Sequence, residues 1–384
     1  MEDIYLDNHS ATRPHTSVVD QMASFQKEYF AATLSPHRLG QQCHLPLVTS
    51  VSKLYDLLGA SDNDAFYFSS SGAEAIAEVY ISTYMSHVKE TGRTHFMATD
   101  LEEAPFLLSM KRMEKFGCSA KTLPVNSFGQ LSKDLLEESL RQRSALLSLS
   151  WANGLTGVIH PLEDIAEICR KKEVLLHVDV STMIGKHFFR FQDLSADFLT
   201  FDGALFHAPR GSAGTFVKAG APFSPIALGA SSEPTASLLA LAESLEIATH
   251  NFDHVCTETA RLRDRLENNI QRALPEVKIP FALAERLPNT SVLCFPGVVN
   301  EALLYLLSSK GVYATMGGGQ FQKLSHILTL CKIEKALAMG SLSFSLSFET
   351  TEEQVDKASE IIIECYKKLR GFSGSLIQEA SNAS

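Results

Sequence analysis

The sequence predicts an α/β fold: a mainly parallel sheet covered by helices on both faces, followed by a smaller α+β unit. Three observations predict it. Short continuous apolar runs alternate with amphipathic stretches between Ala65 and Ala219. These runs end in turns bearing Ser, Gly or Asp. After about His250 the pattern changes to long helical stripes with two strand-like segments between them. Continuous apolar strands between helices are the mark of a parallel sheet buried on both faces, and such sheets gather ligands at the carboxyl ends of their strands.

In chain order, AFYFSSS (65–71) reads as a strand ending in a Ser/Gly turn, and GAEAIAEVYISTYMSHV as the helix after it. THFMATD is strand-like and APFLLSMKRMEKFG helical. ALLSLSWANG is a strand and turn, and PLEDIAEICRKK an amphipathic helix opened by Pro161. VLLHVDV, FLTFDG and GTFVKA are further strands. Beyond His250, Leu262, Leu266 and Ile270 recur every fourth residue on one face of a helix that Pro275 ends. SVLCFPG and SLSFSLSF are strand-like. The final helix carries a capping-box pattern, Thr350 with Glu353, and a stripe of Val355, Ala358, Ile362, Cys365 and Leu369.

The 384 residues suit two or three domains at roughly 150 residues each. The expected division is an N-terminal arm (1–14), a large α/β domain (15–250), a small C-terminal domain (251–371) and a flexible tail (372–384). A net charge of −10 argues against nonspecific binding to nucleic acid or an anionic membrane. The first residues, MEDIYLDNHS, show no basic-then-apolar signal pattern, and no apolar run nears a membrane span, so a cytoplasmic protein is expected. The seven cysteines are widely spaced with no CxxC pair, which reads as free thiols rather than disulfides or a zinc site.

Several segments together resemble the NifS-type cysteine desulfurases of the class V aminotransferase group, enzymes that use pyridoxal phosphate (PLP). They are YLDNHSATRP (5–14), SPHRLGQ (35–41), SSGAEA (70–75), WANGLTGVIHPLEDI (151–165), HVDVSTMIGK (177–186) and GSLSFSLSFETTEEQVD (340–356). The resemblance implies a PLP-dependent transferase-like architecture (fold type I): a large domain on a mainly parallel seven-stranded sheet, with a small C-terminal α+β domain. It also implies a homodimer, PLP as cofactor, and transfer of sulfur from cysteine through an enzyme persulfide toward a sulfur-transfer or iron–sulfur assembly partner.

Carried over residue by residue, the resemblance assigns an inherited PLP pocket. Asp179 stands where the family protonates the ring nitrogen, and Asn153 where it meets the ring hydroxyl. Ser71, Gly72 and Ala73 keep the phosphate turn, and Thr182 replaces a longer glutamine. The catalytic positions fail. The Schiff-base lysine is Leu205, the stacking histidine is Glu103, the persulfide cysteine is Gln320, and the substrate-binding arginine is Ser343. Cys331, eleven residues past Gln320, reads as core. Lys186 and Lys218 match other family positions. In the phosphate pocket, Glu74, Asp202 and Ala204 replace a threonine, a serine and a histidine, and LGASSEPTASLL (228–239) replaces an arginine-bearing loop. A carboxylate ~4 Å from a phosphate charge at an effective dielectric of ~20 costs about 4 kcal/mol before screening.

The expected function is therefore a NifS-related homologue without desulfurase activity, with PLP not bound covalently, acting through interaction or regulation. Two alternatives stand beside it. One is a PLP enzyme holding its cofactor noncovalently. The other is a pocket in which Glu74, Glu103, Asp179 and Asp202 receive a cationic ligand. Leu205 and Trp151 are expected to fill space that a cofactor ring would otherwise take.

Overall fold

The computed structural model describes residues 3–227, 234–318 and 321–382, with side chains described as far as Gly371. Seven strands form the main sheet: β2 (Ala65–Ser69), β3 (His95–Thr99), β4 (Ser119–Leu123), β5 (Ser144–Ser150), β6 (Leu175–Asp179), β7 (Phe198–Asp202) and β8 (Ala213–Val217). Their order is β2-β8-β7-β6-β5-β3-β4. The pairs from β4 to β7 are parallel, while β8 runs antiparallel to both β2 and β7. The apolar runs explain this layer. Every residue from Ser144 to Leu149 and from Ala213 to Val217 is buried, as a strand covered on both faces must be.

Helices cover the two faces. Helix Gly72–Thr83 packs on helix Ala104–Met113 on one side, and helix Arg38–Leu58 on helix Thr235–His250 on the other. Phe66, Phe191, Phe201 and Phe216 join one face of the sheet with ring centroids 5.1–6.3 Å apart.

Two two-stranded sheets lie outside the main sheet. β1 (Ile4–Tyr5) pairs parallel with β10 (Val312–Tyr313), and β9 (Thr290–Cys294) pairs antiparallel with β11 (Ser341–Ser345). Leu262, Leu266 and Ile270 pack with Val355, Ala358, Ile362 and Cys365 in one core, so both helical stripes face inward as their spacing requires. The N-terminal arm reaches further than the second half. Beyond its pairing with β10, Thr12 N–H donates to the Ala204 carbonyl at 2.8 Å, and His207 N–H donates to Thr12 Oγ1 at 2.6 Å. The arm thus also ties down the turn that carries Leu205.

One sequence expectation is corrected near the chain's end. The capping box falls one residue later: Thr351 Oγ1 accepts from Gln354 N–H at 3.2 Å, and Gln354 Oε1 accepts from Thr351 N–H at 3.1 Å. Thr350 is unavailable because its hydroxyl accepts from Ser347 N–H at 3.0 Å. The final helix spans Glu352–Asn382. No proline interrupts it, and LIQEA (376–380) consists mostly of good helix formers.

Candidate active site

The carboxyl ends of β5, β6 and β7 bring together Asp179, Thr182, Asp202 and the Asn153 turn, beside the N-terminus of helix Gly72–Thr83. Asp179 closes β6 and is buried. Its Oδ2 accepts from Thr200 Oγ1 at 2.7 Å and its Oδ1 from Ser181 N–H at 3.0 Å. The Thr200 hydroxyl has one proton, given to Asp179, so it accepts from His177 Nε2–H at 2.9 Å, and His177 Nδ1 accepts from the Ser148 hydroxyl at 2.6 Å. Ser148, His177 and Thr200 lie on three adjacent strands and form a buried chain ending on Asp179. Burial pushes the Asp179 carboxyl up to about 6 and holds His177 down near about 3, so the imidazole stays neutral.

Asn153 is held by the protein itself. Its Nδ2 donates to the Leu101 carbonyl at 3.1 Å, and its Oδ1 accepts from Thr156 N–H and hydroxyl at 3.0 and 3.2 Å. The Thr182 hydroxyl donates to the Ala152 carbonyl at 3.1 Å. Among the described residues, then, both side chains already have backbone partners.

The helix N-terminus is also taken. Ser71 caps it by accepting from Glu74 N–H at 3.2 Å, with Gly72 and Ala73 in the first turn. Asp202 Oδ2 accepts from Gly72 N–H at 2.8 Å, and Asp202 Oδ1 from Ala204 N–H at 2.9 Å. Glu74 turns back to accept from both the N–H and the hydroxyl of Ser70. The acids are thus each engaged by hydrogen-bond donors, and no cluster among the described residues is placed to hold a metal.

Leu205 lies on the short turn after β7, partly buried, lining small cavities with Asn8, Thr182 and Lys186. Lys186 brings its amine to 3.5 Å from the Leu205 carbonyl, and burial lowers its pKa to about 8. Sequence reasoning placed Lys186 only at the end of a turn. Lys218 is elsewhere, donating to the carbonyls of Phe191 and Gln192. Trp151 departs from expectation. Its ring packs edge-on to His187 and Phe189 and lines a groove with Leu162 and Arg190, so it does not join Leu205 in filling one space. Ser343 donates to the Leu155 carbonyl, and Cys331 is a buried thiol pushed up to about 12. All seven cysteines are free. Gln320 and residues 228–233 of the replaced loop lie outside the described residues.

Glu103 stands at the N-cap position of helix Ala104–Met113, without a side-chain capping bond. Burial and the neighbouring carboxylates of Asp179 and Asp202 raise it to about 7. Glu102, which the sequence reading missed, is buried beside it and also raised to about 7, chiefly by burial, while accepting from the Thr99 hydroxyl and from Ser150 N–H. A carboxyl raised in the folded state contributes stability at low pH and loses it as pH climbs from its unfolded value through about 7. Glu103→Gln should therefore stabilise the protein by about 1–2 kcal/mol at pH 8, allowing for partial exposure. The gain should shrink below pH 7 and vanish near pH 4 in thermal melts; a gain independent of pH would refute this account of Glu103.

The architecture and the Asp179 strand define the class: a PLP-dependent transferase-like α/β protein. The aminotransferase class-V family matches residues 4–230. The cysteine desulfurase NifS of Azotobacter vinelandii is 30% identical over 97% of this chain and 95% of its own length. A cysteine desulfurase of Nostoc sp. is 29% identical over the same shares, 97% and 95%. A solved NifS-like protein superposes with a TM-score of 0.88 at 27% identity, covering 96% of this chain and 100% of that one. The chain belongs to the class V aminotransferase family, in its NifS-type cysteine desulfurase group.

The residues present fit the family's PLP in one part only. Asp179 is a buried carboxylate suited to a ring nitrogen. The phosphate end does not fit, because Asp202 already holds Gly72 N–H and Glu74 holds Ser70. The turn after β7 presents the aliphatic side chain of Leu205, which offers no amine. No catalytic step through PLP follows from this set.

Proposed function

We propose that this chain is a NifS-type homologue without cysteine desulfurase activity that works as a noncatalytic interaction or regulatory protein. Leu205 carries the reading: the position that must offer an amine offers an isobutyl group on a turn held by Thr12 and His207. Gln320 at the persulfide position and Ser343 at the arginine position point the same way.

The proposed assembly is a homodimer whose partner is a sulfur-transfer or iron–sulfur assembly protein of the cytoplasm. Phe30, Leu34, Leu45 and Val48 support an interface: they stand exposed at and before helix Arg38–Leu58, with Phe30 and Leu45 75% and 71% exposed. No helix among the described residues is long and apolar enough to cross a membrane.

Lys186 favours a second reading, a PLP enzyme, because its amine approaches the Leu205 turn with a lowered pKa. One titration separates the two. Purified protein is mixed with PLP, followed by near-visible absorbance, then reduced with borohydride and peptide-mapped; alanine release from cysteine is measured in parallel. The expected result is no imine band and no alanine. Alanine release, or a reduced adduct on Lys186, would establish the second reading instead.

A further inference from the structure

The carboxylates of Asp202 and Glu74 do more than fail to welcome an anion. Helix Gly72–Thr83 begins where β2 ends, and its first turn points N–H groups and a partial positive charge of ~0.5 toward the end of β7. Gly72 permits a close approach there: a Cβ added to it would meet Asp202 Cβ at 2.9 Å and Oδ2 at 3.1 Å. Asp202 uses that opening. Its two oxygens divide between Gly72 N–H at 2.8 Å and Ala204 N–H at 2.9 Å, while its own N–H donates to Ser181 Oγ at 2.9 Å. The residue is fixed from three sides, so its carboxylate is not a mobile surface charge. On the other side of the cap, Glu74 takes the N–H and hydroxyl of Ser70.

We infer that Asp202 and Glu74 are built-in occupants of an anion site, together supplying the two negative charges that a phosphate dianion would bring, so that the chain excludes phosphate and removing them opens a phosphate site. The inference rests on the reading that the inherited cofactor pocket is disabled, and it deepens it. Helix N-termini bind free anions through such donors. Here the anion is attached to the neighbouring strand, so it occupies the first helix donor, Gly72 N–H, without the translational entropy cost of a free ligand. A phosphate must displace it and then face its charge. The first donor of the helix and the preceding Ser70 are thus satisfied internally.

The test uses the full chain and inorganic phosphate as the probe. Asp202→Ser and the double variant Glu74→Thr/Asp202→Ser are compared with the unsubstituted chain at constant ionic strength, with chloride as the control. Binding is read by phosphorus NMR line broadening and by calorimetry. The expected result is saturable phosphate binding at least about ten-fold tighter in the double variant than in the unsubstituted chain, with the single variant between them. Asp202→Asn covers the case in which the serine variant fails to fold. It keeps an acceptor for Gly72 N–H and removes the charge, and it should still gain measurable phosphate affinity. Phosphate binding by the unsubstituted chain equal to that of the variants would overturn the inference. So would a folded variant set, Asp202→Asn included, that gains none. These outcomes do not depend on imine formation at a lysine, so failure here is distinguishable from failure of the functional reading.

Discussion

Arg286→Ala should destabilise the protein by about 3–5 kcal/mol, lowering the melting temperature by roughly 5 °C. Arg286 and Glu267 form a two-pronged ion pair, one prong at 3.0 Å, with side chains only 9% and 10% exposed. Truncating the arginine leaves a carboxylate in a dry site without its counterion. The pair also sits at a junction. Arg286 bridges Val158, Ile159 N–H donates to the Glu285 carbonyl at 3.0 Å, and Leu287 N–H donates to the Gly157 carbonyl at 2.8 Å. Glu267 lies on helix Ala260–Ala273, so the pair fastens that helix, through segment 285–287, to the loop that presents Asn153. Replacing both partners, Glu267→Leu with Arg286→Met, should recover most of the loss, because no charge is then stranded. A single-variant loss below about 1 kcal/mol in urea unfolding would show that the pair is effectively solvated.

The parts of the fold legible in the sequence are those with local causes. Continuous apolar runs gave β2, β3 and β5 to β8, and a four-residue stripe gave the helix around Leu266. β4 escaped because SAKTL is a largely exposed edge strand, with only Leu123 buried. The antiparallel direction of β8 was hidden because strand direction depends on the path from Gly203 to Ser212, not on the composition of GTFVKA. The cap moved from Thr350 to Thr351 because two adjacent threonines compete and Ser347 N–H claims the first.

The site divided along the same line. The residue types at the turns, and the expectation of a conflict between Asp202 and a phosphate, come from sequence alone. That the Asp202 carboxylate itself fills the helix N-terminus does not, since it requires residues 130 positions apart to meet at 2.8 Å. Lys186 is a similar case. Its place in GK was visible, but its approach to the Leu205 carbonyl depends on how two turns pack.

Thr200→Val tests why Asp179 persists in a pocket that does not fit the family's cofactor. The valine keeps the shape and removes one hydroxyl, leaving Asp179 Oδ2 and His177 Nε2–H without the partner between them. Two buried polar groups orphaned together should cost about 2–4 kcal/mol. The loss should depend on pH in a definite direction. Thr200 donates to the charged form of Asp179, so its removal raises further a carboxyl already near about 6. A raised carboxyl loses its stabilising contribution as pH climbs through its folded value, so the deficit should be larger at pH 8 than at pH 5. Thr200→Ser should restore most of it. This pattern would make Asp179 the end of a structural chain across β5, β6 and β7, reason enough to keep a buried acid without catalysis. A deficit equal at both pH values and not rescued by serine would assign Thr200 to packing alone, leaving the burial of Asp179 to be explained by a ligand that meets it.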